Sequence, residues 1–201
     1  MELPSDLRPG MWGCAHGTGF FGTAIRDAQM RMTRKARFPH GDRDASWAGH
    51  CVIFIGNHNF GTELKPDIAP AIVQAEWPKV EISRATAQSD VIWATGQPLS
   101  DAQLLVGVGA AKGMVGMHYD VRAYAWYLAT VAHLHVPFEQ LFANKKMAIC
   151  SGTVVREQEA MHVDIGPLLT AATESPDYVC PADCMRWGLD NGWMSRPVPV
   201  W

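Results

Sequence analysis

Apolar and polar positions repeat at two different periods along this chain. In the first half the period is short. Trp47-Ala48-Gly49-His50-Cys51-Val52-Ile53-Phe54-Ile55-Gly56 is a β-branched and aromatic run closed by glycine, the strongest strand signal in the sequence. Residues 71–76, 80–82 and 91–94 read as three further strands, and 57–61 reads as the turn after the first. Met11-Trp12-Gly13-Cys14 predicts one more short strand, entered from the turn Leu7-Arg8-Pro9-Gly10. Strands joined by such short loops pair antiparallel.

The second half changes period. Ser100 with Gln103 three residues on is a capping-box signal and predicts a helix over 101–114, despite Gly107, Gly109 and Gly113. Residues 116–120 break the pattern. Asp120 can cap a helix over 121–135, where Tyr124, Leu128, Val131 and Leu134 share one face and Pro137 follows. A helix is predicted from Cys150 to 162, a helical turn around Leu168, Leu169 and Ala172, and a last helix from Pro181. An extended tail, 188–201, ends the chain. Near the start, Gly17, Gly19 and Gly22 surround Phe20 and Phe21 in an apolar loop. It leads into a helix over 23–33 and a polar loop over 34–46. The expected class is α+β: a small antiparallel β-sheet or half-barrel packed against helices, within one domain of residues 1–201.

Composition narrows this picture. The 201 residues are 48% hydrophobic and 18% charged with a net charge of −3, a globular balance that argues against nucleic acid as the main partner. No apolar run reaches the roughly 18 residues of a membrane helix, so no transmembrane segment is expected. The first residues carry no signal-peptide pattern. Expected locations are the cytoplasm or delivery by a phage particle or a secretion machine. Five cysteines, an odd number in a chain this long, do not form a disulfide framework.

Three residues stand out for chemistry. Cys150 opens a predicted helix, where unpaired N–H groups and the helix dipole favour a thiolate. His50 opens the main strand beside a glycine and is the best general base among eight histidines. Glu76 ends the following strand, where a carboxylate can accept from an imidazole on its neighbour. Cys180, Cys184 and the Cys14-x-His16 pair match no common zinc template, so no metal or other cofactor is expected.

The order of these elements resembles the circularly permuted branch of the NlpC-type papain-like cysteine peptidases. The resemblance rests on Gly49-His50-Cys51-Val52-Ile53-Phe54-Ile55-Gly56, Gln74-Ala75-Glu76, Gly116-x-x-Tyr119-Asp120, Cys150-Ser151 and Pro181-Ala182-Asp183, and spans residues 8–187. It implies a papain-like fold with Cys150 as nucleophile, His50 as base and Glu76 as the third polar group. Tyr119 and Asp120 match the segment that lines the substrate site. The chain departs from the pattern in its long segment 26–43, in Gly152, and in a cysteine directly after His50.

The implied activity is that of a thiol hydrolase, a cysteine peptidase or amidase cutting an amide in peptidoglycan peptides through a thioester. A thiol acyltransferase or lipid esterase on the same scaffold is the first alternative. A non-catalytic component docked in a larger assembly is the second, to which the eight tryptophans are suited.

Overall fold

The computed structural model describes residues 2–16, 25–26, 47–88, 90–121, 147–170 and 179–196. Seven strands form one sheet: β1 (Trp12–Ala15), β2 (His50–Asn59), β3 (Ile68–Glu76), β4 (Lys79–Arg84), β5 (Val91–Trp93), β6 (His118–Tyr119) and β7 (Met147–Ala148). Among the described residues, four helices accompany it: α1 (Asp101–Gly113), α2 (Cys150–Ala160), α3 (Gly166–Thr170) and α4 (Pro181–Asp190). The strand order is β5-β1-β2-β3-β4-β6-β7. The first six pair antiparallel and β7 joins β6 in parallel, so the expected antiparallel sheet carries one parallel edge.

The pleat divides the β2 side chains between two faces. Cys51, Ile53 and Ile55 join Ala71, Val73 and Ala75 of β3 on the face covered by the helices. Val52 and Phe54 lie on the other face with Ile72, Ala85 and Trp93, under Leu3 and Leu7. Trp12 is the largest fully buried side chain. Its ring stacks on Trp187 at 5.8 Å and its Nε1 donates to Gln97 Oε1 at 3.0 Å.

The sheet curls. Four steps of the ladder separate β2 from β7, about 19 Å if flat. Yet Ala148 is two residues from Cys150, a span of at most about 7 Å, and the Cys51 amide of β2 is near enough to the Cys150 thiol to favour its thiolate. Only a curled sheet brings β2 and β7 this close.

The capping box at Ser100 forms as expected, with Gln103 N donating to Ser100 Oγ and Ser100 N to Gln103 Oε1. Gly10 (φ 90°) lies against this helix, and a Cβ there would collide with the Leu104 backbone. Gly107 has the same function towards α2: a Cβ would come within 2.7 Å of Met161 Sδ and 3.2 Å of Glu157 Oε1.

Glu157 is therefore clamped between α1 and α2, fully buried, and Oε1 has no hydrogen-bond partner. Gln158 donates to its other oxygen at 3.2 Å. Burial pushes its pKa well above the carboxylate range, opposed only by Gln158. The unfolded chain loses this proton near the ordinary value of about 4.3, whereas the folded chain keeps it. Glu157 therefore costs no stability below that value and destabilises progressively as pH rises above it. Glu157→Gln should raise the thermal midpoint at pH 8 and leave it unchanged at pH 4. Equal midpoints at pH 8 would contradict this account.

Two boundaries differ from expectation. Residues 57–59 continue β2, and the reversal comes later because Asn59 Oδ1 accepts from both Gly61 N (3.0 Å) and Asp67 N (2.9 Å). The tail does not start at 188. Helix α4 runs to Asp190, Gly192 (φ 70°) reverses the chain, and Trp193 N donates back to Gly188 O at 2.8 Å. Trp193 then packs edge-on against Trp187 at 4.8 Å. The glycine loop at 17–22, the polar loop at 34–46, Ala172 and residues 197–201 lie outside the described residues. So does all of the 23–33 helix except 25–26, and all of the 121–135 helix except Val121.

Candidate active site

Helix α2 begins at Cys150 without a side-chain cap, since its N-cap residue is Ile149. Its first N–H groups are therefore not taken up by a capping side chain. The start is anchored from the side: Ser151 Oγ donates to Val179 O at 2.5 Å, and Thr153 Oγ1 donates to Cys150 O at 2.6 Å. The helix packs mainly against β2 and α1, and less against β3. Burial pushes the Cys150 thiol up to about 11, with the neighbouring Cys184 adding to the rise. The N–H groups of Cys51, Ser151 and Cys150 itself pull the other way and do not overcome it. The resting group is a protonated thiol.

None of the five cysteines is in a disulfide, and all are buried. Cys14 and Cys51 face one another across β1 and β2, with Sγ atoms 3.9 Å apart, and Cys184 lies close enough to Cys51 for each thiol to shift the other's pKa. Cys180 and Cys184 pack at the start of α4, where Cys180 N donates to Asp183 Oδ2 at 2.8 Å. Among the described residues, no group of three or more His, Cys, Asp or Glu side chains has the geometry to hold a metal ion.

His50 opens β2 opposite Ala15. Its Nε2 meets Gln74 Oε1 at 3.1 Å. Gln74 Nε2 in turn donates to Glu76 Oε2 (3.1 Å) and to Ser83 Oγ (3.0 Å). Gln88 Nε2 donates to Gln74 Oε1 at 2.8 Å. These partners fix the amide: its nitrogen faces the carboxylate and its oxygen faces the ring. An oxygen there can only accept, so His50 carries its proton on Nε2 and Nδ1 keeps the lone pair. Burial pulls the His50 pKa down to about 4, with the Gln74 bond acting weakly upward.

Glu76 thus does not touch the imidazole, contrary to the sequence expectation. Gln74 stands between them and bonds both the ring and the Glu76 carboxylate. The cause is register: Val52 pairs with Gln74, so Gln74 lies on the His50 face one step inward from Glu76. The signal was in the sequence, as a glutamine inside an otherwise apolar strand and in phase with Glu76.

Cys150 lies near the His50 end of β2, close to the amide of the residue after His50, while the pleat turns the His50 ring, with Val52 and Gln74, to the face opposite Cys51. No hydrogen bond joins the thiol to the ring. Catalytic contacts are commonly loose before substrate binds. Tyr119 pairs in register with Ala148, and Asp120 N donates to Ala148 O at 3.0 Å, two residues before Cys150. Tyr119 is half-buried. Asp120 is fully buried and presents no surface to a substrate in this state.

Gln74 offers a direct test of this chain. Replacing its amide with a carboxylate, Gln74→Glu, puts a negative charge against Nε2 and favours the imidazolium. The His50 ring protons, followed by NMR, should then titrate above the unsubstituted value of about 4. An unshifted titration would remove Gln74 from the ring.

Fold and site together define a class: an α+β protein with a buried thiol at a helix start and, at the start of the adjacent β2, an imidazole held by an amide that a carboxylate holds in turn. Compared with known proteins, the chain matches no protein family, no curated protein and no solved structure.

Proposed function

We propose that this protein is a cysteine-dependent amide hydrolase of papain-like, circularly permuted NlpC-type architecture, acting on peptidoglycan peptides. One observation carries the reading. Gln74 holds Nε2 of His50 and leaves Nδ1 as a free base, on the strand whose next amide faces the Cys150 thiol. The element order, with the histidine strand, the Gln74 strand and then the cysteine helix, supports the permuted assignment.

In this mechanism His50 Nδ1 takes the thiol proton as the substrate seats. Cys150 Sγ attacks the amide carbonyl, and the uncapped N–H groups at the α2 start receive the developing oxyanion, each donor worth roughly 3 kcal/mol. The imidazolium returns its proton to the leaving amine. Water, with His50 again as base, then releases the acyl group from sulfur. Because Gln74 is uncharged, it sets the tautomer without stabilising the imidazolium by charge.

The test is release of amino groups from purified cell wall. The intact protein releases them and Cys150→Ala does not; equal release by the two would end the proposal. A second reading, a non-catalytic component of a larger assembly, draws on the missing thiol–imidazole bond. It predicts no release by either protein.

A further inference from the structure

The β3–β4 turn carries the one exposed tryptophan among the described residues. Trp77 is 64% exposed between Glu76 and Lys79, and both flanking charged residues are exposed as well. Elsewhere the described indoles that stack, such as Trp12 and Trp187, are buried against other rings. An exposed indole gives up the burial its area would otherwise gain.

Its location ties it to the candidate site on both sides. On one side Glu76, the residue before it, holds the amide that holds His50. On the other, Pro78 O accepts from Tyr119 N at 2.9 Å, and Tyr119 pairs with Ala148, two residues before Cys150. Two strand spacings, about 10 Å, separate the turn from β7. That is the reach of a group flanking a scissile bond, beyond the reacting atoms themselves.

The neighbours decide what fits. A lipid chain needs a continuous apolar groove, and this indole is bordered by a carboxylate and an ammonium. Glu76 uses Oε2 for Gln74 and keeps Oε1 open, and Lys79 forms no ion pair among the described residues. Glu76 and Lys79 are cross-strand partners at the base of the turn, and a flat apolar face with an acceptor and a donor paired next to it matches a pyranose ring. Such a ring presents axial C–H groups to the indole and equatorial hydroxyls to its rim.

We infer that Trp77, with Glu76 and Lys79 beside it, is a saccharide platform that holds the amino sugar to which a cell-wall peptide is attached. This rests on the amide-hydrolase reading and adds to it that the substrate is a glycan-linked peptide. The platform makes Trp77 a binding residue, not a catalytic one.

The experiment uses Cys150→Ala protein, so that nothing turns over, and calorimetric binding of two probes. One is a purified disaccharide–tetrapeptide from cell wall and the other is the same tetrapeptide without sugar. With Trp77→Ala added, Kd for the disaccharide–peptide should rise about tenfold while Kd for the free peptide stays fixed. Trp77→Phe, which keeps a ring, should fall between. Thermal midpoints of the three proteins are matched first. If Trp77→Ala changes neither Kd, or both equally, the platform is wrong and the hydrolase reading stands. If neither probe binds the Cys150→Ala parent at millimolar concentration, the peptidoglycan reading fails and the platform with it.

Discussion

On the proposed hydrolase reading, Cys150→Ala is expected to lower amide hydrolysis by about 10⁴-fold or more, the loss typical when a covalent nucleophile is removed and only binding and oxyanion donors remain. Folding survives, because alanine fills most of the same small volume among Cys51, Val154 and Cys184. The pH dependence carries more information than the loss itself. With His50 at about 4 and Cys150 at about 11, both groups are neutral across the whole range between. A thiolate–imidazolium pair held at rest is therefore not expected, and the proton moves only when substrate is bound. In the free protein, alkylation of Cys150 by iodoacetamide should be slow at pH 7. It should then rise about tenfold per pH unit towards pH 10, following the thiolate fraction. A plateau near neutrality would show a pre-formed ion pair and overturn this description. Loss of hydrolysis in Cys150→Ala together with a steep alkylation profile is the combined result that supports general-base activation.

Trp12→Ala should cost about 3–5 kcal/mol, the range for removing a buried aromatic ring. Three losses coincide there. The ring is fully buried, it stacks on Trp187, and its Nε1 is the donor to Gln97 Oε1. Gln97 is itself buried and donates onward to Gln158 Oε1 at 2.6 Å, next to Glu157. The substitution therefore opens a cavity between β1 and α4 and removes the donor to Gln97 Oε1 in the same polar chain. For a protein of this size, 1 kcal/mol moves the thermal midpoint by about 2–4 °C, so a fall of about 10 °C is expected by calorimetry. Trp12→Phe keeps the stack and loses only the N–H, and should recover more than half. A shift below about 3 °C for Trp12→Ala would mean that the β1–α4 contact contributes little.

Much of the fold was legible from period alone. The Val-Ile-Phe-Ile run became β2, the Ser100 capping box became the start of α1, and Pro181 at the first turn became α4. These signals are local: a pleat, a cap and a missing N–H act within four residues. The parallel β6–β7 pair was not legible, because two-residue strands carry no periodicity. Nor was the return of Trp193 onto Gly188, which depends on a left-handed glycine and on a tryptophan partner that the helix supplies.

The candidate site divides in the same way. The sequence by itself determined that a cysteine would open a helix and a histidine a strand, with polar residues ending the next strand, because helix starts and strand phase are written in neighbouring residues. Which polar residue meets the imidazole was decided by the tertiary structure. Register between β2 and β3 put Gln74 on Nε2 and Glu76 one bond further away. The protonation of both reacting groups was decided there too. A helix start favours a thiolate in water, but packing Cys150 under β2 beside Cys51 and Cys184 removes that water, and the cost of burying charge outweighs three N–H groups.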